Sequence, residues 1–311
     1  MSVIAAAIAA TLLCRPDVAT LRKIHANEVG LVPILEYHGI VSKECWLGRS
    51  RANFTKDLNR LYKEGYRPIS LADYLSNRID LPAGKSPVVL TFDDSIESQF
   101  CFRRDGTLDP GCAVAIMIKF HEAHKDFPLK ATFFVLPKKA FQDPKTAKRK
   151  LKLLIKWGFE IGNHTLRHGW LNRMSDKQVE NEIGGGAALL HQLVPEAAVE
   201  TLAFPGGLAP RNRRLIKDGT YKGFQYHNRG GFLAAWEPAP APVARGQNRM
   251  RIERILACEG PYGVTYWLDQ MKSGAVKRYV CDGDPETTSV PLKLANGVDR
   301  QYLNGSKLIL Y

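Results

Sequence analysis

The sequence lacks several motifs that would assign a common function. None of its six cysteines forms a Cys-x-x-Cys pair, which argues against zinc ribbons and thioredoxin-like redox chemistry. No Gly-x-Gly-x-x-Gly or P-loop follows the first predicted strands, which excludes the usual nucleotide-binding folds. No Gly-x-Ser-x-Gly context makes Ser95 a nucleophile. Beyond the first thirteen residues we expect no stable membrane span.

Acidic residues are scarce relative to basic ones. The chain has 44 Lys and Arg against 31 Asp and Glu, and its formal net charge is +13. Such an excess favours anionic surroundings, such as nucleic acid, acidic lipid or an anionic envelope polymer. The densest basic cluster, at 145–152, falls on a predicted amphipathic helix and has no nucleic-acid motif beside it. We therefore expect no nucleic-acid partner.

The chain begins with small, apolar residues. Its first thirteen residues resemble the apolar stretch of a secretory signal without the positively charged start, or else an N-terminal helix. The predicted domains are an apolar leader or signal-like segment over 1–30, a main domain over 31–260 and a C-terminal extension over 261–311 that packs on it. The extension is expected to be irregular apart from short strands near 289–294 and 307–310. The even cysteine count is compatible with an exported protein, in which Cys101 and Cys112 could close a loop or remain separate thiols.

Strand and helix patterns alternate from residue 31 onward. Strands are predicted at 31–38, 88–92, 131–135, 159–162, 199–204, 223–226 and 251–255. Helices are predicted at 51–64, 113–124, 145–157, 176–193 and 210–218. This alternation predicts an α/β fold whose parallel sheet, doubly wound or closed as a barrel, has helices outside. Gly184–Gly186 interrupts the 176–193 pattern, either as a site of close packing or as a helix break.

Two carboxylates stand at the end of an apolar run. Asp93 and Asp94 directly follow the predicted strand at 88–92. Burying unpaired charge is costly, so a bound cation would explain the pair. A turn in which aspartate caps a strand end is the alternative.

Two histidines, His164 and His168, follow the strand predicted at 159–162. On a helical turn, positions i and i+4 project from one side, so both imidazoles can bind one ion. Because the carboxyl ends of parallel strands lie on one face, we expect these histidines to meet Asp93 and Asp94. One carboxylate and two imidazoles leave a position open for water, which is typical of a catalytic metal site.

These residues resemble a known family. Thr91-Phe92-Asp93-Asp94 and His164-Thr165-Leu166-Arg167-His168 are similar to the first two motifs of the NodB-homology polysaccharide deacetylases, carbohydrate esterase family 4. Ala131–Val135 matches a strand typical of the family, while Tyr37–Ile40 and Pro68–Leu71 resemble its poly-N-acetylglucosamine deacetylase branch. The resemblance implies a distorted (β/α) barrel of about seven parallel strands with helices outside.

The resemblance also implies roles for individual residues. Asp94, His164 and His168 would bind a divalent metal, zinc in the first place and otherwise cobalt, nickel or iron. Asp93 would be the general base that activates a metal-bound water. The Pro205-Gly206 segment would supply the oxyanion and substrate contacts, with the backbone N–H of Gly206 as donor.

The chain departs from the family pattern in three places. Ala203 stands where many members have an arginine that orients the base, and Gly206 stands where an aromatic residue is common. No Leu-x-His near the end supplies the usual general-acid histidine. His38, at the end of the first predicted strand, is our candidate for general acid or substrate ligand; a structural, hydrogen-bonded histidine is the alternative, and His227 is a weaker rival.

The predicted function is the removal of N-acetyl groups from an N-acetylglucosamine-type polysaccharide of the envelope or extracellular matrix. The expected enzyme is exported, monomeric and metal-dependent. One alternative is a hydrolase of another N-acyl sugar substrate. The other is a non-catalytic carbohydrate-binding protein on a decayed deacetylase scaffold.

Overall fold

A computed structural model describes residues 17–311, so the signal-like start of the chain lies outside the described residues. Its α-helices are α1 (Val18–Ile24), α2 (Arg51–Lys63), α3 (Leu71–Ser76), α4 (Ala113–Ala123), α5 (Ala147–Lys156), α6 (Asp176–Leu193), α7 (Arg214–Lys217) and α8 (Val264–Ser273). Its β-strands are β1 (Ile34–Tyr37), β2 (Gly39–Val41), β3 (Gly48–Ser50), β4 (Tyr66–Pro68), β5 (Ser86–Phe92), β6 (Thr132–Val135), β7 (Glu160–Asn163), β8 (Thr201–Ala203), β9 (Asp218–Tyr221), β10 (Phe224–His227), β11 (Gly230–Phe232), β12 (Ile255–Leu256), β13 (Thr287–Val290) and β14 (Lys307–Leu310). Among the helices described, none has the length and apolar character needed to cross a membrane.

The main sheet is parallel throughout and curls into a half-barrel. Its strand order is β12, β1, β5, β6, β7, β8 and β11, and β4 pairs with β5 beside this path. At the open side, Phe232 forms a bridge with Ile252, and the Leu233 amide donates to the Ile252 carbonyl at 2.9 Å. The predicted distorted barrel of about seven parallel strands, with helices outside, is confirmed.

Alternate residues of β5 serve different layers of the fold. The strand is buried along its whole length. Val88, Leu90 and Phe92 belong to the core beneath the outer helices, whereas Val89 belongs to the core inside the barrel. Because successive strand side chains point to opposite faces, the side chains at 91 and 93 also project inward. A run that is apolar on both faces is what a central parallel strand requires.

The short helix α3 covers the amino-terminal end of the barrel. The first residue of β7, Glu160, accepts hydrogen bonds from the amides of Leu71 and Ala72 at 2.8 and 3.0 Å, so its carboxylate caps the N-terminus of α3. Leu75 of α3 contacts Gly230, where β11 begins. The carboxyl ends of the strands therefore remain available for a site.

Two predicted strands differ from the structure. The 223–226 pattern forms β10, which pairs with β9 in an antiparallel ribbon outside the barrel. The barrel strand in this region is β11, Gly-Gly-Phe, which has too few apolar residues to be recognised. A Cβ at Gly231 would lie 2.7 Å from the Phe204 ring, so the approach of β11 to β8 needs glycine. The strand predicted at 251–255 is regular only at 255–256.

Both ends of the described chain pack together on the barrel. The amides of Asn27 and Glu28 donate to the carbonyls of Val280 and Ser289 at 2.9 and 3.1 Å. The segment from residue 17 to residue 30 therefore packs against the body of the protein. The short strands expected in the extension over 261–311 form the parallel pair β13–β14, and the extension also contains a helix that was not expected, α8. Cys101 and Cys112 are free thiols here.

A buried carboxyl group holds this junction. Glu28 is 2% exposed, and its two oxygens accept hydrogen bonds from the Asp282 and Ser289 amides at 3.2 and 2.7 Å. Burial, followed by the neighbouring charge of Asp282, raises the pKa of Glu28 to about 8. Glu28 is therefore predominantly protonated in the folded protein at neutral pH.

We expect the free energy of unfolding to fall as pH rises from about 4.5 to about 8. In this window folded Glu28 keeps a proton that the unfolded chain releases, so each pH unit costs up to about 1.4 kcal/mol. Glu28→Gln removes this titration and should flatten the dependence, measured by denaturant unfolding at pH 5, 6, 7 and 8. Equal slopes for the two proteins would contradict this assignment.

Candidate active site

The two aspartates occupy the carboxyl end of β5. The Asp93 amide donates to the Tyr37 carbonyl at 2.9 Å and so continues the β1–β5 ladder by one residue. The chain then turns sharply, because Asp94 and Ser95 adopt φ of +70° and +47°. Non-glycine residues in the left-handed region are uncommon, and the surrounding structure must stabilise them. The turn separates the inward side chain of Asp93 from that of Asp94.

The histidine segment is an irregular turn rather than the predicted helical turn. Asn163 ends β7, and its Oδ1 accepts the Thr165 amide at 2.9 Å. The Thr165 hydroxyl then accepts the His168 amide at 3.1 Å. Thr165 and His168 have φ of +69° and +63°. These left-handed residues, not helical spacing, bring the two imidazoles together.

Asp94 and the two histidines form a compact donor set. Oδ1 of Asp94 lies 3.3 Å from Nε2 of His164 and 3.2 Å from Nε2 of His168. His164 Nδ1 lies 3.0 Å from the Ala203 carbonyl, which accepts its proton and leaves Nε2 as the ligand atom. One carboxylate and two imidazoles, with ligand atoms within 4.8 Å of one another, fit a divalent metal such as zinc.

The histidines also determine the protonation of Asp94. Burial would raise the pKa of this carboxyl, but hydrogen bonds to His164 and His168, followed by the charges of His164 and His38, hold it far below its usual range. The same contact with Asp94 raises the pKa of His168. Asp94 is thus a carboxylate over the whole physiological pH range, as a metal ligand must be.

Helix α6 supports the histidine turn from behind. Its glycines, Gly184–Gly186, lie within one continuous helix, so they mark close packing rather than a helix break. A Cβ on Gly186 would approach Oδ1 of Asn163 to 2.4 Å and the carbonyl carbon of Thr165 to 2.9 Å. Buried Glu182 of the same helix accepts the Arg167 amide at 2.8 Å.

The arginine absent from the third motif has a replacement that sequence reasoning missed. Arg254 is fully buried, and its Nη1 and Nη2 donate to Oδ1 and Oδ2 of Asp93 at 2.8 and 2.7 Å. Its Nε donates to the Leu233 carbonyl at 2.8 Å, and Nη1 also contacts the Thr91 hydroxyl at 3.1 Å. The sequence does contain one signal for this pairing. Arg254 directly precedes the buried strand β12, and a guanidinium that points into the barrel needs an acidic partner.

This pairing keeps Asp93 ionised. Burial would raise the pKa of the Asp93 carboxyl, but the charges of Arg254 and His164 and the Arg254 hydrogen bonds outweigh it, and the pKa lies below its ordinary value. Asp93 is 2% exposed, so without Arg254 this charge would be uncompensated inside the barrel.

Glu36 and His38 project from β1 beside this pair. Glu36 is buried, its Oε2 lies 3.4 Å from Nη2 of Arg254, and burial raises its pKa to about 8. Nε2 of His38 lies 3.6 Å from Oε1 of Glu36, and Nδ1 of His38 makes no hydrogen bond within the described residues. Burial lowers the pKa of His38 against the opposing effect of Asp93. Within the part of the chain that the structure describes, the ring therefore lacks the hydrogen bond expected of a structural histidine.

The other predicted site residues, Gly206, Pro205 and His227, do not all lie at the cavity. Gly206 lines the same cavity, in a tight turn after β8 where its φ is +61°. Pro205 begins that turn and is buried. His227 lies in the β9–β10 ribbon, is 55% exposed and pairs with Asp218 at 2.6 Å. His227 does not lie at the rim of the barrel as expected, because β10 is not a barrel strand.

The cavity that these groups share has a volume of about 320 Å³. Asp93, Asp94, both histidines and His38 line it, together with Trp46 and Trp236. A separate, wider cavity of about 760 Å³ between α2 and α8 has no histidine or cysteine in its lining. The chemistry of the side chains, rather than cavity size, identifies the candidate site.

Comparison with known sequences supports this identification. Residues 80–227 match the family model described as polysaccharide deacetylase. The peptidoglycan-N-acetylglucosamine deacetylase of Bacillus cereus is 27% identical over 146 residues, which cover 47% of this chain. The match spans only 57% of that relative's length.

Solved structures share the fold. The Streptococcus pyogenes deacetylase PplD, determined with acetate, superposes with a TM-score of 0.59 at 21% identity and covers 78% of this chain and 98% of its own. IcaB from Ammonifex degensii gives a TM-score of 0.56 at 20% identity, with coverage of 77% and 96%. The matched segment contains Asp93, Asp94 and both histidines, and the barrel around them is of the same type. Over residues 80–227 the chain is therefore similar to the polysaccharide deacetylases, and its fold is the barrel of their NodB-homology domain, carbohydrate esterase family 4.

Proposed function

We propose that this protein is a metal-dependent hydrolase that removes N-acetyl groups from an N-acetylglucosamine-type polysaccharide. The observation that carries the proposal is the pairing of two carboxylates in one cavity. Asp94 lies between two imidazoles, as a metal ligand would. Asp93 accepts hydrogen bonds from both terminal nitrogens of Arg254, which would orient it as a base. Two neighbouring carboxylates held in different environments can take different roles.

In the proposed reaction Asp94, His164 and His168 hold the cation. When bound, a divalent metal such as zinc supplies Lewis acidity, which polarises a carbonyl and favours loss of a proton from water. Asp93 accepts the proton of the attacking water, since Arg254 keeps its carboxylate ionised and fixes its orientation. The bidentate contact also prevents rotation of the base, so less ordering is needed as the reaction begins.

His38 and Gly206 complete the proposed machinery. His38 lies beside Asp93 with an unpaired ring nitrogen, and burial makes its imidazolium form a stronger acid than usual. We assign it the proton that the leaving amine requires. The backbone N–H of Gly206, on the cavity wall, is the candidate donor to the oxyanion of the tetrahedral intermediate.

The substrate and location extend the same proposal. The named activity of the Bacillus cereus relative points to an envelope polymer, and the net charge of +13 would favour association with anionic envelope material. We infer an exported, monomeric enzyme. Its rate on a wall-bound substrate should fall with ionic strength. Equal rates at low and high salt would remove the electrostatic part of the proposal.

Acetate release tests the activity. Chito-oligomers, β-1,6-linked N-acetylglucosamine oligomers and peptidoglycan should be compared with the purified protein before chelation, after chelation and after zinc is restored. We expect at least one polymer to be deacetylated, with a loss of about a hundredfold or more on chelation and recovery near one metal per protein. Acetate release that is indifferent to metal, or absent with every substrate, would contradict the proposal.

A further inference from the structure

Two large apolar side chains occupy the tip of a tight turn beside the catalytic cavity. The Cys45 amide donates to the Gly48 carbonyl at 2.9 Å, and the Gly48 amide donates back at 3.1 Å. Trp46 and Leu47 are therefore the two central residues of a hairpin turn, where Gly, Asn and Asp are usual. Trp46 is 70% exposed and Leu47 is 44% exposed. Packing does not explain this choice of residues.

A buried ionic network holds this turn in place. The Glu44 carboxylate accepts the Ser50 amide at 2.6 Å and Nη1 of Arg49 at 2.8 Å. Arg49 is almost fully buried, and its Nε and Nη2 donate to Asp57 of α2 at 2.9 and 2.6 Å. The turn is thus attached to the outer helix layer by charge-assisted hydrogen bonds. A ligand that met Trp46 would not have to order the turn first.

A second exposed tryptophan stands opposite the first. The Trp46 and Trp236 ring centroids are 6.0 Å apart, with an angle of 45° between the ring planes. The Trp236 carbonyl accepts Nε1 of Trp267 at 2.7 Å, and Trp236 bridges Ile255 of the barrel strand β12. Trp46, Leu47 and Trp236 line the cavity that holds the proposed base and metal ligands. We refer to these three residues as the tryptophan wall.

We propose that the tryptophan wall binds the sugar unit adjacent to the one whose N-acetyl group is removed. The inference rests on the proposed function and specifies its substrate as a polymer rather than a monosaccharide. The apolar C–H face of a pyranose packs on an aromatic ring, and indole offers the widest such face. The wall carries no charge, which suits a neutral sugar ring better than a phosphate or a carboxylate. Because the two indoles are tilted, one flat ring cannot lie against both, so the wall suits a chain of sugars running past the cavity.

The dependence of activity on chain length tests this inference. We expect kcat/KM of the wild type to rise from N-acetylglucosamine to its five-unit oligomer. Trp46→Ala and Trp236→Ala should each lower the five-unit value by about tenfold, chiefly through KM, and reduce that rise. Trp46→Phe should lose less, because a smaller aromatic face remains. Leu292→Ala, at a 67% exposed position outside the cavity lining, is the matched surface control and should resemble the wild type.

Two outcomes would overturn the inference while leaving the proposed function intact. One is an active wild type whose Trp46→Ala and Trp236→Ala variants keep its kcat/KM on the five-unit oligomer. The other is an equal loss at every chain length, which would indicate a structural role for the tryptophans. An inactive wild type on every oligomer, with or without metal, would instead refute the proposed function and the inference with it.

Discussion

Asp93→Asn is expected to lower kcat/KM for acetate release by about a thousandfold while the metal content stays unchanged. The amide is nearly the same size as the carboxylate but cannot accept a proton at neutral pH. The proposed metal ligands are Asp94, His164 and His168. Because Asp93 is not one of them, the metal site should remain in Asp93→Asn. Activity and metal content, measured on the same preparation, therefore separate the base from the ligands.

The matched control is the neighbouring residue. Asp94→Asn should lose metal, because a neutral amide replaces the anionic ligand between His164 and His168. Loss of activity with metal retained in Asp93→Asn, and loss of both in Asp94→Asn, is the expected pattern. Full activity of Asp93→Asn would show that another group acts as the base. Metal loss in both variants would show that Asp93 is a ligand.

Arg254→Met is expected to cost about 3 to 5 kcal/mol of folding stability and most of the activity. The substitution leaves Asp93 buried, charged and without its bidentate partner, beside a second buried carboxyl in Glu36. Asp93 can relieve this only by taking up a proton, and a protonated carboxyl is not a base. Denaturant unfolding and kcat/KM at pH 7 measure the two effects.

Two further variants show whether the effect passes through Asp93. Arg254→Lys keeps a charge but loses the planar fork, so its stability should fall between wild type and Arg254→Met. In the double variant Asp93→Asn/Arg254→Met the uncompensated charge is gone. Its loss of folding stability should therefore be smaller than the sum of the losses in the two single variants. Strict additivity would indicate that Arg254 acts on the fold independently of Asp93.

The parallel sheet was predictable because most of its strands follow simple physical rules, and the family resemblance implied that it forms a barrel. β5 is apolar on both faces and ends on charge, which is the pattern of a central parallel strand whose carboxyl end carries a site. β11 could not be predicted, since Gly-Gly-Phe has no periodicity and its place depends on close contact with Phe204. The prediction that 223–226 is a barrel strand was wrong for the opposite reason. Its residues have a strand-like pattern, but β10 pairs locally with β9.

The residues of the proposed site also fall into those that the sequence predicted and one that it did not. Asp93, Asp94 and the two histidines were expected to meet, because residues that follow parallel strands share one edge of the sheet. Arg254 was not expected, because it lies 161 residues from its partner Asp93 and matches no motif position. The sheet order, in which β12 pairs with β1 and β1 pairs with β5, brings the segment before β12 into reach of β5.

By itself the sequence determined an α/β fold with a parallel sheet, the family resemblance that implied the barrel, and the four residues at the ends of β5 and β7. Local patterns encode these features, since strand and helix periodicity and short motifs are properties of short segments. The tertiary structure decided which charge compensates Asp93, how left-handed turns direct Asp94 and His168 to one point, and that Trp46 and Trp236 lie side by side in the cavity wall. These features depend on contacts between segments that are distant in the sequence. No single segment determines how side chains pack or how charges are compensated across the barrel.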